Sequence, residues 1–378
     1  MSLPPAAAAA LRRLKRWLTQ DAYPIWWTAG ADRVGGGFFD RLRLDGTPAD
    51  VPKRLRVQAR QAYAYALAGK LGWTGPAEAA SRHGLDLVRA SRQADGLYRL
   101  GAAAGDAPLD GMGTLYDQAF VLLALATHKA AFGGAELEAE AVALRERLAD
   151  FAHPLGGFAE APGLAAPLFA NPNMHLFESC LAWAEISDDP AWRSLADALG
   201  EFALTHLIDR QTGALGEVFG ADWTAATRAE DRIVWPGHLF EWAWLMMRWR
   251  PGDPDCLAAT RKLVAIGERR GVDPVRNVAI FALRADLDPL DRGARLWAQT
   301  ERIKALALAA GIAGDEGLWA AAGEACEGLE AFLEAPTAGL WRDWMAADGA
   351  FRDEPAPASS FYHIVCAIAE LERLAGAG

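Results

Sequence analysis

The chain is built of apolar runs at helical spacing, separated by short breaks. Leu11, Leu14 and Leu18 recur at i, i+3 and i+7 with Arg12, Arg13, Lys15 and Arg16 on the other face, the pattern of an amphipathic helix. Residues Ala119 to Ala126 are almost entirely apolar, as expected of a helix buried on most sides. Asp188, Asp189 and Pro190 end one helix and start the next. Read this way, the pattern predicts helices near 5–20, 53–70, 76–92, 114–131, 135–151, 172–187, 191–207, 236–249, 254–269, 293–310, 315–333 and 361–374.

A short element, glycine followed by aromatic or aliphatic residues, recurs between these helices. It appears as Gly37-Phe38-Phe39, Gly96-Leu97-Tyr98, Gly157-Phe158, Gly213-Ala214-Leu215 and Gly339-Leu340-Trp341, with a degenerate copy expected at Gly271. A period of about sixty residues suits two helices plus a turn. Six such hairpins close on themselves as an all-α (α/α)6 barrel, one helix of each pair inside and one outside. The alternative is an open solenoid of helix pairs. Closure explains how a chain beyond the usual single-core size forms one domain over 1–378, and no Pro/Gly/Ser-rich linker divides it.

The first unusual polar or aromatic groups after the glycines are Arg60, Asp117, His175, His238, Trp297 and His363, each roughly twenty residues on. Similar offsets in a rotational repeat place side chains at similar heights, so these six are expected to converge on one mouth. Asn171-Pro172-Asn173-Met174-His175 reads as an N-cap, a first-turn proline and a first-turn histidine, with Glu178 at i+3. Trp235-Pro236-Gly237-His238 repeats the arrangement with Glu241 at i+3, and Ser359-Ser360-Phe361-Tyr362-His363 opens the last helix. A carboxylate beside an imidazole raises its pKa while a helix N-terminus opposes protonation, a balance suited to a group that gains and loses a proton. Taken singly, each histidine is equally well a core residue tied to a carboxylate. Arg60 lies in an otherwise apolar helix, and its bland explanation is an ion pair with Asp117 or Glu178.

Composition narrows the function. A formal net charge of −11 argues against nucleic acid and, weakly, against anionic membranes. No apolar stretch is long enough to span a bilayer, and an Ala-rich segment ahead of the basic one is the reverse of a secretory signal, so a cytoplasmic location is expected. The four scattered cysteines have no metal-ligand spacing. Fifteen tryptophans are mostly core, yet tryptophan is also the side chain that stacks on sugars. Di-iron bundles use Glu-x-x-His where this chain has His-x-x-Glu, and His-Glu-x-x-His, dinucleotide and P-loop motifs are missing, so no metal and no cofactor are expected.

Gly36-Gly37-Phe38-Phe39-Asp40, Lys53 through Gln61, Asn171 to His175, Pro236-Gly237-His238-Leu239-Phe240-Glu241-Trp242 and Ser360-Phe361-Tyr362-His363 together resemble the N-acylglucosamine 2-epimerase superfamily. The resemblance implies an (α/α)6 barrel and metal-independent proton transfer beside a sugar carbonyl. It implies His238 and His363 as the acid/base pair, with Arg60, Asn171, His175 and Glu241 binding the sugar. Trp297, at the same height, joins them as a candidate binding residue. Ser359-Ser360-Phe361 stand where cellobiose 2-epimerases carry other residues, as do Ala59 and Ala62-Tyr63 relative to N-acylglucosamine epimerases. The blocks are most similar to mannose-isomerase-like members. The expectation is therefore interconversion of D-mannose and D-fructose through a cis-enediol, with a 2-epimerase (N-acylglucosamine/N-acetylmannosamine or glucose/mannose) as the alternative. The expected partner is a monosaccharide, with homodimerisation possible for such a chain. A non-catalytic glycan-binding barrel and a metal-dependent hydrolase are the rivals from other classes.

Overall fold

The computed structural model describes residues 3–100, 113–228 and 231–376. Thirteen α-helices occur among them: α1 (Pro5–Trp17), α2 (Tyr23–Thr28), α3 (Leu55–Ala66), α4 (Ala77–Ala90), α5 (Leu115–Phe132), α6 (Ala135–Arg147), α7 (Ala170–Ala184), α8 (Pro190–Phe202), α9 (Pro236–Trp249), α10 (Pro254–Gly271), α11 (Leu296–Ala313), α12 (Glu316–Leu333) and α13 (Ser359–Gly376). A π turn at Leu18–Ala22 joins α1 to α2 in one rod, longer than the amphipathic pattern alone indicated. Twelve rods therefore make the fold.

The odd-numbered helices from α3 to α13 form the inner ring, each packed on the next, and α13 packs back on α3. The even-numbered helices from α4 to α12 cover it from outside, and α1 lies against α12 and α13 to complete the cover. This is a closed (α/α)6 barrel. Aromatic rings seal the joint between the chain's two ends: Trp26 stacks on Trp341 at 5.0 Å between centroids, and Trp341 on Phe361 at 5.7 Å. Across the same joint Arg41 and Leu42 pair with Pro357 and Ala356 in an antiparallel ladder.

The burial explains the pattern seen in the sequence. In α1 the leucine face is buried against the barrel while Arg12 and Arg13 remain in solvent. In α5, α9 and α11 nearly every side chain is buried, so no polar stripe exists. Aspartates cap three of the outer helices: Asp189 accepts from Ala191 N in α8, Asp253 from Cys256 N in α10, and Asp315 from Gly317 N in α12.

The repeat has a physical core that its glycines only partly mark. A side-chain amide on the inner helix clamps the backbone of the preceding turn by accepting from its N–H and donating to its carbonyl. Gln58 does so to Phe38, Gln118 to Tyr98, Asn173 to Phe158 and Gln299 to Ala279. The clamp at the fifth turn, that of Gln299, corrects the expected copy at Gly271. The turn residue there is Asn277, at φ +53°, in the same left-handed conformation as Gly37 at +63° and Gly339 at +84°. Asparagine is among the few residues that tolerate this region.

Counting two residues from each clamp gives one tier around the axis: Arg60, Phe120, His175 and Glu301. Pro236 and Phe361 occupy the clamp position in α9 and α13, which adds His238 and His363. Counting from the glycines had put Asp117 and Trp297 in this tier. Both belong about one turn nearer the helix N-termini, and Asp117 does not line the mouth at all.

Candidate active site

The N-terminal ends of the inner helices surround a cavity of about 230 Å³ lined by Arg60, Asn171, His175, Trp235, His238, Glu241, Trp297 and His363, with Arg54, Arg56, Tyr116, Phe281, Arg295, Ser359 and Ser360. All seven residues proposed from the sequence for catalysis or substrate binding are thus brought together. A second cavity of about 250 Å³ lies toward the C-terminal ends of the same helices and holds none of the histidines.

Local placement differs from expectation in detail. Helix α7 starts at Ala170 with Phe169 as its N-cap, so Asn171 is inside the helix and His175 falls in its second turn. Asn171 instead turns its side chain to the cavity, where Oδ1 is buried without a partner. His238 is in the first turn of α9 behind Pro236, as read from the sequence. Ser359 and Ser360 lie inside α13, which puts His363 at its fifth position.

Each histidine is fixed through Nδ1 by a buried carboxylate. His175 Nδ1 donates to Glu178 Oε2 at 3.1 Å, the i+3 pairing expected. His238 does not pair with Glu241; its Nδ1 meets Glu217 Oε2 at 2.8 Å. His363 Nδ1 meets Glu301 Oε1 at 2.8 Å. A carboxylate on Nδ1 sets the tautomer and leaves Nε2 as the acceptor. Both His238 and His363 lie against the Trp297 indole, with centroids 5.0 and 5.9 Å away.

Sequence reasoning missed Glu217, Glu301 and Lys304. One signal was present for the first: an acidic residue follows the repeat turn at Asp40, Glu160, Glu217 and Asp343. Their carbonyls accept from Ala358, Leu115, Ala170 and Leu296 N, so each ties its turn to the head of a neighbouring inner helix. Glu301 and Lys304 look like ordinary surface charges in sequence, yet both side chains are fully buried and in ion-pair contact.

Beneath the histidines lies a tier of charge: Glu178, Glu241 and Lys304, three residues on from His175, His238 and Glu301. Lys304 Nζ also lies 3.9 Å from the Trp244 ring centroid. Burial, reinforced by repulsion from Glu301, pushes the Glu241 carboxyl well above the usual carboxylate range, and neither of its oxygens has a hydrogen-bond partner. This favours its protonated form at the floor of the cavity, and in that form it can donate to a bound oxygen. Burial alone would raise Glu178 too, but bonds from His175 and Tyr362 with the charge of Lys304 keep it ionised. Arg60 is not ion-paired to Asp117 or Glu178: its Nη2 donates to Tyr116 Oη at 2.7 Å, and Nε is buried and unpartnered. Asp117 pairs with Arg56. Two trios, His175–Glu178–Glu241 and Glu241–Glu301–His363, each bring one ligand atom per residue within 4.8 Å and have a cation's donor set. Lys304 already supplies a fixed positive charge to the second.

Burial lowers His363 well below 6.5 and His175 to about 4, so both imidazoles are neutral at pH 7. At His175 the Glu178 carboxylate, expected to raise the pKa, is outweighed by desolvation. A lowered histidine pKa favours folding fully above 6.5, and that contribution falls away as pH drops toward the folded value; protonated Glu241 works in the opposite sense. The His363 resonance, identified by its loss in His363→Ala, is expected to show no titration between pH 7 and 6 in an NMR series. A midpoint near 6.5 would contradict the burial argument.

The N-acylglucosamine 2-epimerase (GlcNAc 2-epimerase) family model matches residues 37–367. A "Mannose-6-phosphate isomerase" from Rhizobium meliloti (strain 1021) is 44% identical over 371 residues, 95% of this chain and 96% of that protein. A "D-mannose isomerase" from Thermobifida fusca is 29% identical over 332 residues, 80% of each chain. Among solved structures, a D-mannose isomerase superposes with TM-score 0.88 at 20% identity, covering 98% of this chain and 100% of that one. Cellobiose 2-epimerase from Bacillus thermoamylovorans B4167 gives 0.85 at 16% identity, covering 96% and 99%. Among the described residues no helix is long and apolar enough to cross a membrane. With histidines, carboxylates and tryptophans gathered at one mouth of a barrel shared with these enzymes, the chain belongs to the N-acylglucosamine 2-epimerase family and is a sugar isomerase or epimerase.

Proposed function

We propose that the protein is an aldose–ketose isomerase that interconverts D-mannose and D-fructose by proton transfer through a cis-enediol. The observation that carries this reading is the pair His238 and His363, each locked through Nδ1 on its own buried carboxylate and set against Trp297 in one cavity. In the ring-opened aldose the C1 carbonyl makes the C2 proton acidic. One imidazole Nε2 takes that proton, the electron pair moves into the C1–C2 bond, and the carbonyl oxygen becomes an oxyanion and then a hydroxyl. Arg60 stabilises that oxyanion. Loss of the O2 proton and return of a proton to C1 give the ketose. His175 and Glu241 bind the sugar and assist ring opening, Asn171 accepts from a hydroxyl, and Trp297 covers the sugar face. The two curated relatives, named as isomerases, support this reading.

A 2-epimerase is the second reading. It is favoured by two separately equipped imidazoles, which is what returning a proton to C2 from the opposite face requires. Incubating mannose, glucose, fructose and N-acetylmannosamine in deuterated water distinguishes them by NMR. Deuterium is expected at C1 of fructose, formed from mannose at a rate that chelator leaves unchanged. Deuterium at C2 of an inverted aldose would establish the epimerase, and no exchange in any sugar would refute both.

A further inference from the structure

We propose that Lys304 is a positioning residue for the proton-transfer step: its ammonium holds Glu301 as a carboxylate, which keeps the Nε2 lone pair of His363 open to the sugar. The inference rests on the reading of the cavity as a sugar isomerase site and adds a residue that touches no substrate.

The contacts form an unbroken chain. Lys304 and Glu301 lie three residues apart on α11, both side chains 0% exposed, with Nζ 2.5 Å from Oε2. The other carboxylate oxygen, Oε1, lies 2.8 Å from His363 Nδ1 on α13. Around the ammonium stand the Trp244 ring of α9, with its centroid 3.9 Å from Nζ, and Cys366 Sγ of α13 at 3.6 Å. Glu301 therefore sits between a fixed cation and an imidazole, with no solvent to share its charge.

Three acids compete for that one cation. Glu178 on α7 is already held by His175 and Tyr362. Glu241 on α9 has no hydrogen-bond partner for either oxygen and favours its protonated form. Lys304 is thus left to Glu301. Burial opposes the charge on Lys304, yet the acids around it outweigh burial and raise it above the usual lysine range. At Glu301 burial pushes the carboxyl up and Glu178 adds to the push, while Lys304 is the largest influence holding it down.

The state of Glu301 decides which ring nitrogen of His363 carries the hydrogen. An ionised carboxylate can only accept, so Nδ1 keeps its hydrogen and Nε2 remains an acceptor at the cavity. A protonated carboxyl donates to Nδ1 instead, which moves the ring hydrogen to Nε2 and closes that lone pair. Burial, with the charges of Arg60 and Lys304, keeps the ring neutral at rest. When Nε2 takes a proton from the sugar, Nδ1 keeps its own, and the Glu301 carboxylate balances the imidazolium. No proton passes to Lys304. The lysine thus acts through Glu301 and His363 while standing outside the set of residues that line the cavity.

The test is Lys304→Ala, read by turnover of mannose and by proton–nitrogen correlation NMR of the His363 ring, identified by its loss in His363→Ala. With the carboxylate no longer held, kcat is expected to fall at least tenfold, with KM within about threefold, and the ring hydrogen to move from Nδ1 to Nε2. n-Propylammonium supplies the atoms that the substitution removes and should restore both kcat and the Nδ1 hydrogen, whereas n-propanol should restore neither. The amine can reach the void, because Trp244 and Cys366, which touch the ammonium, also line the cavity of about 250 Å³ at the C-terminal ends of the helices. Should Lys304→Ala not fold, Lys304→Gln keeps a donor for Glu301 without the charge and is expected to show the same loss and the same tautomer. Unchanged kcat, a His363 ring that keeps its Nδ1 hydrogen in a folded variant, or rescue by the alcohol as well as the amine would overturn the role of Lys304. A wild type that turns over no sugar would refute the isomerase reading instead, and the tautomer change would still decide the role of Lys304.

Discussion

Alanine in place of His363 is expected to lower kcat about 10²- to 10⁴-fold, the range that a positioned acid or base contributes, with the barrel still folded. The imidazole is buried beside Trp297, and its removal leaves Glu301 in contact with Lys304, so the carboxylate keeps a partner. His238→Ala should cost a similar factor, because Glu217 fixes that ring in the same tautomer. The double variant should be far less impaired than the product of the two losses, since groups that act as a unit lose their function together. Steady-state kinetics with circular dichroism to confirm folding is the check. A loss of less than about tenfold in either single variant would remove that histidine from the proton-transfer step.

The second large effect concerns stability. Lys304→Met should destabilise the protein by about 3–5 kcal/mol, the range for breaking a buried ion pair by removing one partner. Lys304 and Glu301 are both wholly enclosed, and Glu178 and Glu241 lie close enough to repel Glu301 or one another. Without the ammonium, this group of carboxyls has no cation at its centre. The paired change Lys304→Met with Glu301→Gln should recover most of the loss, since neither member then remains as an isolated charge. Urea denaturation of the three proteins measures this. A single-variant loss below about 1 kcal/mol would show that solvent or a neighbouring acid already neutralises Glu301.

Much of the barrel was legible because its signals are local. Helical periodicity shows which segments are rods, and the glycine turns give the repeat directly. The fifth turn was misplaced because Asn277 meets the same backbone requirement without being glycine, so a search for glycine settled on Gly271. The site was legible to the extent that its residues are unusual where they stand: histidines and an arginine in apolar helices. Their partners were not. Glu217 and Glu301 are 21 and 62 residues from the imidazoles they hold, and packing between neighbouring units of the ring, not helical spacing, brings them there. The i+3 rule therefore found the true partner of His175 and the wrong one for His238. The protonation balance also eluded the sequence, because burial lowers His175 and His363 more than adjacent carboxylates raise them.

The amide clamps separate what shapes the ring from what reacts inside it. Gln58, Gln118, Asn173 and Gln299 hold turn to helix, while the side chain two residues further on faces the axis and takes no part in that bond. Those positions carry arginine, phenylalanine, histidine and glutamate on otherwise equivalent frames. The barrel thus resembles a turret of interchangeable tools: one spoke can be refitted for a different sugar or bond while the hub keeps its form, so new specificities in this architecture are reachable by single, separable steps.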